Sequence, residues 1–407
     1  MHDFPRVLLL WAAVSLLTAC STAAPDSPPG GGGSASGGRG GAAGNGGGGL
    51  GGGGNGGAGL GGGGLGGAGL GGNAGSAGSP FTGGAGGNDV GLVTAVVTPW
   101  KENAKAAYTI IHDDLCDVSL DSAFDVADVE LNARGLRAGF GAIVGSCVER
   151  DLWSRMETLR QHGHEIVCHS WSHPNLVEDL TANVDQELNQ ATMTLNASLA
   201  GQNTSYYIFP YDAFNDGLIA QLDALGYVGA RAGERGLNPA DFADPMRNMF
   251  DVWGATAYAM GPAGLQEYVD EAITSGGWAN REFHAVGTEA WEPVPTADYT
   301  AHLDYVKSKV DAGELWMDTP SAVVRYRFAR ANCGQPTVSA GTVSFSAVGP
   351  TCSKYGTELS VDLTTTVDAA TLFANQAGVA LTTKKLGPNL YRVNIDPSKG
   401  TAFIGGL

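Results

Sequence analysis

The feature that most limits how this chain can fold is the placement of its glycine. Of 63 glycines in 407 residues, 35 lie between Gly30 and Asn88, where Arg39 is almost the only charge. The larger apolar residues there are mostly isolated leucines, at Leu50, Leu60, Leu65 and Leu70. One leucine per several glycines buries nothing that would offset the entropy of ordering so permissive a backbone. Residues 21–90 are therefore read as a disordered linker. About 320 residues remain, which suits one large domain and one small one.

What precedes the linker reads as a targeting segment, residues 1–20. Arg6 supplies a thin charged region, Val7 to Leu17 an apolar run too short to span a bilayer, and Leu17-Thr18-Ala19-Cys20 follows. This end resembles a bacterial lipobox, in which cleavage leaves a lipid-bearing cysteine, here Cys20, as the new N-terminus. The linker would then be a tether with a root-mean-square reach of about 40 Å. Ser21 after the cysteine favours, by the same resemblance, the outer membrane of a Gram-negative bacterium. Export places the other cysteines where disulfides persist. Cys333 and Cys352 bracket a short segment and are expected to pair. Cys116 and Cys147 each follow a predicted strand and are candidates to meet at one rim, leaving Cys168 a buried free thiol; the count alone leaves the pairing open. The formal charge of −18, from 23 basic and 41 acidic residues, offers no basic patch for nucleic acid.

From Asp89 onward, strand and helix signals alternate. Short apolar runs at Tyr108–Ile111, Ala138–Val144, Glu165–Cys168, Tyr206–Phe209, Tyr227–Ala230, Met249–Trp253, Phe283–Val286 and Leu315–Met317 read as strands. Between them lie helical patterns at Glu149–Gln161, Glu178–Ala200, Asn215–Leu225, Leu265–Thr274, Ala297–Val310 and Ser321–Ala329. Seven or eight such units over about 240 residues predict a parallel α/β fold, a (β/α) barrel rather than a doubly wound sheet. After Cys333, β-branched and polar residues alternate between Gly, Pro and Asn turns, so residues 332–407 predict a small antiparallel, sandwich-like β domain following a domain at 91–331.

The ionisable outliers of the predicted barrel gather at strand ends. Asp113-Asp114 closes the first strand; His169 ends the strand at Glu165–Cys168, with His173 one turn on. Pro210-Tyr211 ends the fourth strand, and His284 sits in a late one. In a (β/α) barrel these ends converge on one rim, where sites are built. Adjacent carboxylates at a buried strand end are costly unless something positive is near. Two histidines and a carboxylate make a three-ligand metal set with positions left open. Taken singly, each has a bland alternative: a turn, a strand terminator, a core histidine.

Three stretches then carry a resemblance: Ile110-Ile111-His112-Asp113-Asp114, His164-Glu165-Ile166-Val167-Cys168-His169-Ser170-Trp171-Ser172-His173-Pro174, and Tyr207-Ile208-Phe209-Pro210-Tyr211. In order and spacing they resemble the first three motifs of the polysaccharide deacetylases, carbohydrate esterase family 4, also called the NodB-homology family, over about Val96 to Ala331. The resemblance implies a distorted (β/α) barrel and a divalent metal held by Asp114, His169 and His173, usually zinc, with cobalt or nickel as alternatives. It further implies Asp113 as general base, the backbone N–H of Tyr211 at the oxyanion, His284 as the acid for the leaving amine, and an acetylated glycan as substrate. Pro210, Tyr211, Trp253 and Trp291 would line the substrate pocket, and the expected state is a monomer.

The chain departs from the family pattern at three places. Ile208 stands where an arginine normally pairs with the catalytic base, and Arg231 is the substitute suggested by position alone. The fourth motif is loose, with Asp251-Val252-Trp253 as a match. His112 replaces an apolar or aromatic residue. The loss at Ile208 motivates the alternative of a non-catalytic carbohydrate-binding lipoprotein.

Overall fold

The computed structural model describes residues 89–117, 121–241, 244–252, 261–287 and 292–406. Cys20, all but the last two residues of the stretch 21–90 read as a linker, Trp253 and Trp291 lie outside the described residues. Strand β1 (Leu92–Val97) comes first and is taken up below. The barrel strands are β2 (Ala106–Leu115), β3 (Gly139–Ala142), β4 (Glu165–Cys168), β5 (Tyr206–Ile208), β6 (Gly229–Arg235), β7 (Asn248–Val252), β8 (Trp278–Phe283) and β9 (Leu315–Met317). All their pairings are parallel. β2 to β8 close a seven-stranded ring, because β2 pairs with both β3 and β8. β9 lies beside the start of β2 (Ala106 opposite Leu315), while β3 pairs with its end (Ile111 opposite Gly139). One long strand thus serves two short neighbours, and the barrel is distorted there.

β2 is buried on both faces, as a parallel barrel strand must be. Alternate residues point inward and outward. Ala107 and Ile111 join Val167, Tyr206 and Ile208 in one apolar cluster, whereas Tyr108 and Ile110 join the cluster beneath the surrounding helices. Those helices are α1 (Asp128–Ala133), α2 (Val144–Arg150), α3 (Trp153–Gln161), α4 (Ala191–Ser198), α5 (Asp216–Ala224), α6 (Pro262–Ser275) and α7 (Thr296–Asp311). α8 (Pro320–Asn332) is different. Its Val323 and Val324 belong to the inner cluster, and its Ser321 reaches Glu165 and Ser205 at the starts of β4 and β5. It closes the N-terminal mouth of the barrel, leaving the C-terminal rim as the open end.

The β region comprises two antiparallel sheets. One has β10 (Pro336–Ser339), β11 (Thr342–Phe345), β17 (Ala402–Gly406), β13 (Leu372–Gln376) and β14 (Val379–Leu381) in that order. The other runs β1, β12 (Leu359–Thr365), β16 (Leu390–Ile395) and β15 (Thr383–Gly387). Helix α9 (Pro350–Lys354) carries Cys352, which is bonded to Cys333 at the end of α8. β1, upstream of the barrel in sequence, pairs along its length with β12, so residues from both sides of the barrel build this sheet.

Several expectations need correction. The helix read at Glu149–Gln161 is two helices, α2 and α3, separated by Asp151 in a left-handed conformation (φ 51°). The helix read at Glu178–Ala200 begins later, with a π-helical turn at Gln186–Gln190 leading into α4. Before it, Asn175 and Asp179 side chains bond their own following N–H groups, which favours turns over helix. The strand read at Phe283–Val286 is β8, which ends at Phe283, so His284 lies just beyond it. No helix among the described residues is long and apolar enough to cross a membrane.

Candidate metal and acid–base site

A cavity of about 510 Å³ opens at the C-terminal rim, lined by Asp113, Asp114, His169, His173, Tyr211, Asp212, Arg231, Arg235, Val252, Glu282, His284 and Glu292. The end of β2 delivers the two aspartates. Asp114 has φ 58°, a left-handed conformation that L-residues adopt at a cost, and Cys116 has φ 77°. The Cys116–Cys147 disulfide ties this turn to α2. Cys168, just before His169, is the buried free thiol.

The His169–His173 loop is held from two directions. The first N–H groups of α2, from Val144 and Gly145, donate to the carbonyls of Ser170 and Trp171 at 3.1 and 2.8 Å. A Cβ on Gly145 would meet the Trp171 carbonyl oxygen at 2.8 Å, so only glycine allows this approach. From the other side Glu187, in the π-helical turn, accepts the N–H groups of Trp171 and Ser172 and the Ser172 hydroxyl, at 2.7–2.8 Å. Ser170 Oγ accepts the His173 N–H at 2.8 Å. These bonds support two more left-handed residues, Ser170 (φ 65°) and His173 (φ 60°).

Within this frame, Nε2 of His169 and of His173 lie 3.3 and 3.4 Å from Asp114 Oδ1. His169 Nδ1 is 3.0 Å from the Ile208 carbonyl, which can only accept, so that nitrogen carries a proton. Its Nε2 therefore faces Asp114 and, at 3.8 Å, Asp113. Asp114 Oδ1 is buried without a hydrogen-bond partner. The separations exceed those of a charge-assisted hydrogen bond, about 2.7–2.9 Å. Ligand atoms at about 2.05 Å from a tetrahedral ion would be about 3.3 Å apart. The residues fit a divalent metal of the zinc type. Burial raises the Asp114 carboxyl, but the close approach of His169, then of His173 and His284, holds it well below the usual range.

Asp113 turns inward, where Arg231 on β6 grips it in a two-point pair at 2.9 and 2.5 Å. Both are buried. Burial raises the Asp113 carboxyl, and the Arg231 charge, then His169, more than reverses it. Arg231 therefore stands on Asp113 from the neighbouring strand, at the position opposite Ile208 in register. It also lies 2.9 Å from Glu282 and over the Phe250 ring. Glu282 is buried beside this cation, and burial pushes its carboxyl well above the usual range despite the opposing charge of Arg231. His284 Nε2 sits 3.9 Å from Asp114 and 3.8 Å from Glu282, and its Nδ1 3.9 Å from Glu292.

Tyr211 lines the mouth with φ 55°; the residue is 66% exposed and its ring lies 4.8 Å from the His173 ring. Pro210 is buried beneath it rather than on the cavity wall. Asp251 lies off the cavity, 3.7 Å from Arg281, while its neighbour Val252 lines it. Sequence reasoning missed Glu282, Glu292, Asp212, Arg235 and Glu187. For Glu282 a signal existed: Arg281-Glu282 are adjacent charges immediately before the apolar run that holds His284. Glu187 had none, being one acid among many on a polar helix.

A second group of the same composition, Asp128, His162 and His164, lies near the N-terminal ends of the barrel strands. There His164 Nδ1 accepts the Ala138 N–H at 3.1 Å, which puts the proton on Nε2, and Nε2 donates to Asp128 at 3.1 Å. His162 Nδ1 is 2.7 Å from the same oxygen. This cluster is complete with its own protons.

Residues 113–230 match the family model described as polysaccharide deacetylase, a span holding Asp113, Asp114, His169, His173 and Tyr211. The match stops one residue short of Arg231. No curated protein matches the chain. Among solved structures, this chain is similar to the Xyl-CE4 domain of a multidomain xylanase from the hindgut metagenome of Trinervitermes trinervoides, at 14% identity and TM-score 0.37, covering 54% of this chain and 89% of that one. It is also similar to the peptidoglycan deacetylase PdaC from Bacillus subtilis, at 17% identity and TM-score 0.35, covering 54% and 89%. A third likeness is to a CE4 family pseudoenzyme from Bacillus anthracis, at 14% identity and TM-score 0.36, covering 55% and 66%.

Proposed function

We propose that this chain is a metal-dependent hydrolase that removes acetyl groups from an N- or O-acetylated polysaccharide at the cell envelope. The observation that carries the reading is the Asp114–His169–His173 triad, whose spacing suits a tetrahedral ion and whose buried Asp114 oxygen lacks any other partner. Asp114, His169 and His173 would hold the ion, zinc in the first instance. A divalent metal there supplies Lewis acidity toward the attacking water and the acyl oxygen.

The chain's own residues divide the proton traffic. Asp113, kept anionic by Arg231, takes the proton as water adds to the acetyl carbon. The Tyr211 backbone N–H donates to the oxyanion that forms. His284, on the far side of Asp114, gives a proton to the nitrogen or oxygen that leaves; the carbon–heteroatom bond breaks, and acetate and the free amine or hydroxyl are released. Tyr211 presents a flat exposed ring on which a sugar face stacks. Trp253 and Trp291 are proposed as further substrate-binding residues.

The non-catalytic alternative rested on the absent arginine at Ile208. Arg231 supplies the charge that absence removed, which favours turnover over binding alone. Measuring acetate released from chitooligosaccharide, peptidoglycan and acetylxylan with zinc supplied tests this. Release that depends on Asp113 supports it; metal-replete, folded protein that releases no acetate from any of the three overturns it in favour of the binding reading. The two disulfides support an oxidising compartment. With the Leu17–Cys20 stretch they support export as a lipoprotein anchored through Cys20, and we place it at the outer membrane. Labelled-lipid incorporation that survives Cys20→Ala would refute the anchor.

A further inference from the structure

His112 is one of the residues at which this chain departs from its family's pattern, and the chemistry proposed above gives it no part. It is fully buried on the outer face of β2, between Phe140 at 5.3 Å and Phe283 at 5.7 Å, both rings stacked on it, with Tyr299 of α7 at its edge. A polar ring among three aromatics costs free energy unless both nitrogens are satisfied. Here they are. Nδ1 lies 3.0 Å from the His284 carbonyl oxygen and Nε2 lies 2.9 Å from the Tyr299 hydroxyl. A carbonyl only accepts, so Nδ1 carries the proton. Nε2 of the neutral ring is then free to accept from Tyr299.

We propose that His112 is a positioning residue that fixes His284 at the cavity through the His284 carbonyl. The proposal rests on the reading of His284 as the acid. His284 follows the last residue of β8, outside the ladder. Its imidazole faces Asp114 of β2, Glu282 of β8 and Glu292 of the following loop, all at 3.8–3.9 Å and none within hydrogen-bond distance. The direction of the ring is thus set by its backbone. Downstream, the Val286 N–H donates to Ser122 and the Val294 N–H to Ala285. At His284 itself, the carbonyl is anchored by His112. An apolar or aromatic residue at position 112 would fill the space and leave that carbonyl without this donor. His112 and Tyr299 together tie the acid's peptide to β2 and to α7.

Two substitutions separate positioning from packing. His112→Phe keeps a stacked ring and removes both hydrogen bonds; His112→Asn keeps an N–H at the Nδ1 position and loses the bond to Tyr299. In the zinc-loaded protein, His112→Phe is expected to lower kcat on an N-acetylated oligosaccharide about 10–100-fold with KM and bound zinc unchanged. Turnover of an aryl acetate, whose leaving group needs no protonation, should stay at the parent level. His112→Asn should restore N-deacetylation to within a few-fold. An equal fall on both substrates that asparagine does not rescue, or parent-level kcat in His112→Phe, overturns the proposal. A further readout does not depend on turnover: nitrogen-15 spectra of histidine-labelled protein should show His112 as the Nδ1–H tautomer and the His284 resonances displaced in His112→Phe. An Nε2–H tautomer overturns the positioning role. The expected tautomer and displacement in a protein that releases no acetate would uphold the positioning and reject the deacetylase reading instead.

Discussion

Two clusters in this molecule have the same composition, one aspartate and two histidines, and opposite character. Asp114, His169 and His173 sit at the open rim; Asp128, His162 and His164 sit near the other end of the barrel. The difference lies in what the remaining ring nitrogen does. The Nδ1 of His169 gives its proton to a carbonyl, so Nε2 meets a carboxylate oxygen at 3.3 Å, a distance too long for a strong hydrogen bond and right for two ligands of one ion. The Nδ1 of His164 receives a backbone N–H, so Nε2 keeps its own proton and spends it on Asp128. Metal-ligating histidines are aimed by the partner of their other nitrogen. Composition alone does not separate the two clusters; that one hydrogen bond does.

The sharpest way to break the comparison is Asp114→Ala beside Asp128→Ala. Asp114→Ala is expected to abolish stoichiometric zinc and lower activity more than about 10³-fold, whereas Asp128→Ala should keep one zinc per chain, by metal analysis of folded protein. Retained zinc in the first variant, or lost zinc in the second, would invert the assignment. Next in size is Arg231→Met, which strands the buried Asp113 carboxylate; a stability loss of about 3–5 kcal/mol is expected in urea melts. Arg231→Lys, which keeps the charge and loses the two-point grip, should fold and turn over poorly.

Glu187→Gln acts at one remove. It keeps the size but loses the charge that gathers two N–H groups and a hydroxyl beneath the histidine loop, so zinc affinity should fall about 10–100-fold by competition with a chelator while the fold survives. The smallest effect belongs to the second cluster. Burial raises the Asp128 carboxyl, but the bonds from His164 and His162 outweigh it and hold it low. A carboxyl lowered on folding contributes stability above its unfolded value, about 3.9, and loses that contribution as pH falls through its folded value. Asp128→Asn should therefore cost about 1–3 kcal/mol at neutral pH, with the gap to the parent narrowing below about pH 4 and activity unchanged. A gap that widens in acid would contradict the arrangement.

The barrel and the main members of its rim were legible because they follow from local pattern. Apolar runs of strand length, separated by helical periods, permit few architectures, and the motifs at Asp113-Asp114 and His169–His173 lie within single short stretches. The pair expected at Cys333 and Cys352 is found, and so is the candidate pair Cys116–Cys147, which the cysteine count had left open. Residues whose roles depend on long-range packing were harder to see. Glu187 and Glu282 join the site through the turn of a helix and the closure of the ring. β1 was unreadable as a partner of β12 because their pairing spans the whole barrel in sequence.

Arg231 marks the boundary between the two kinds of knowledge. The sequence by itself determined that strands and helices alternate into a parallel barrel and that its acidic and histidine residues collect at strand ends, with Ile208 standing where the family it resembles carries an arginine. Register decided the rest. In β5 and β6 the backbone of Ile208 lies opposite Arg231, so a cation one strand over reaches the same carboxylate, and the vacated side chain packs in the core while its carbonyl aims His169. Strand pairing is a contact between distant parts of the chain, set by barrel closure and the burial of whole faces rather than by any local preference. For that physical reason, which arginine serves Asp113 was decided by the tertiary structure.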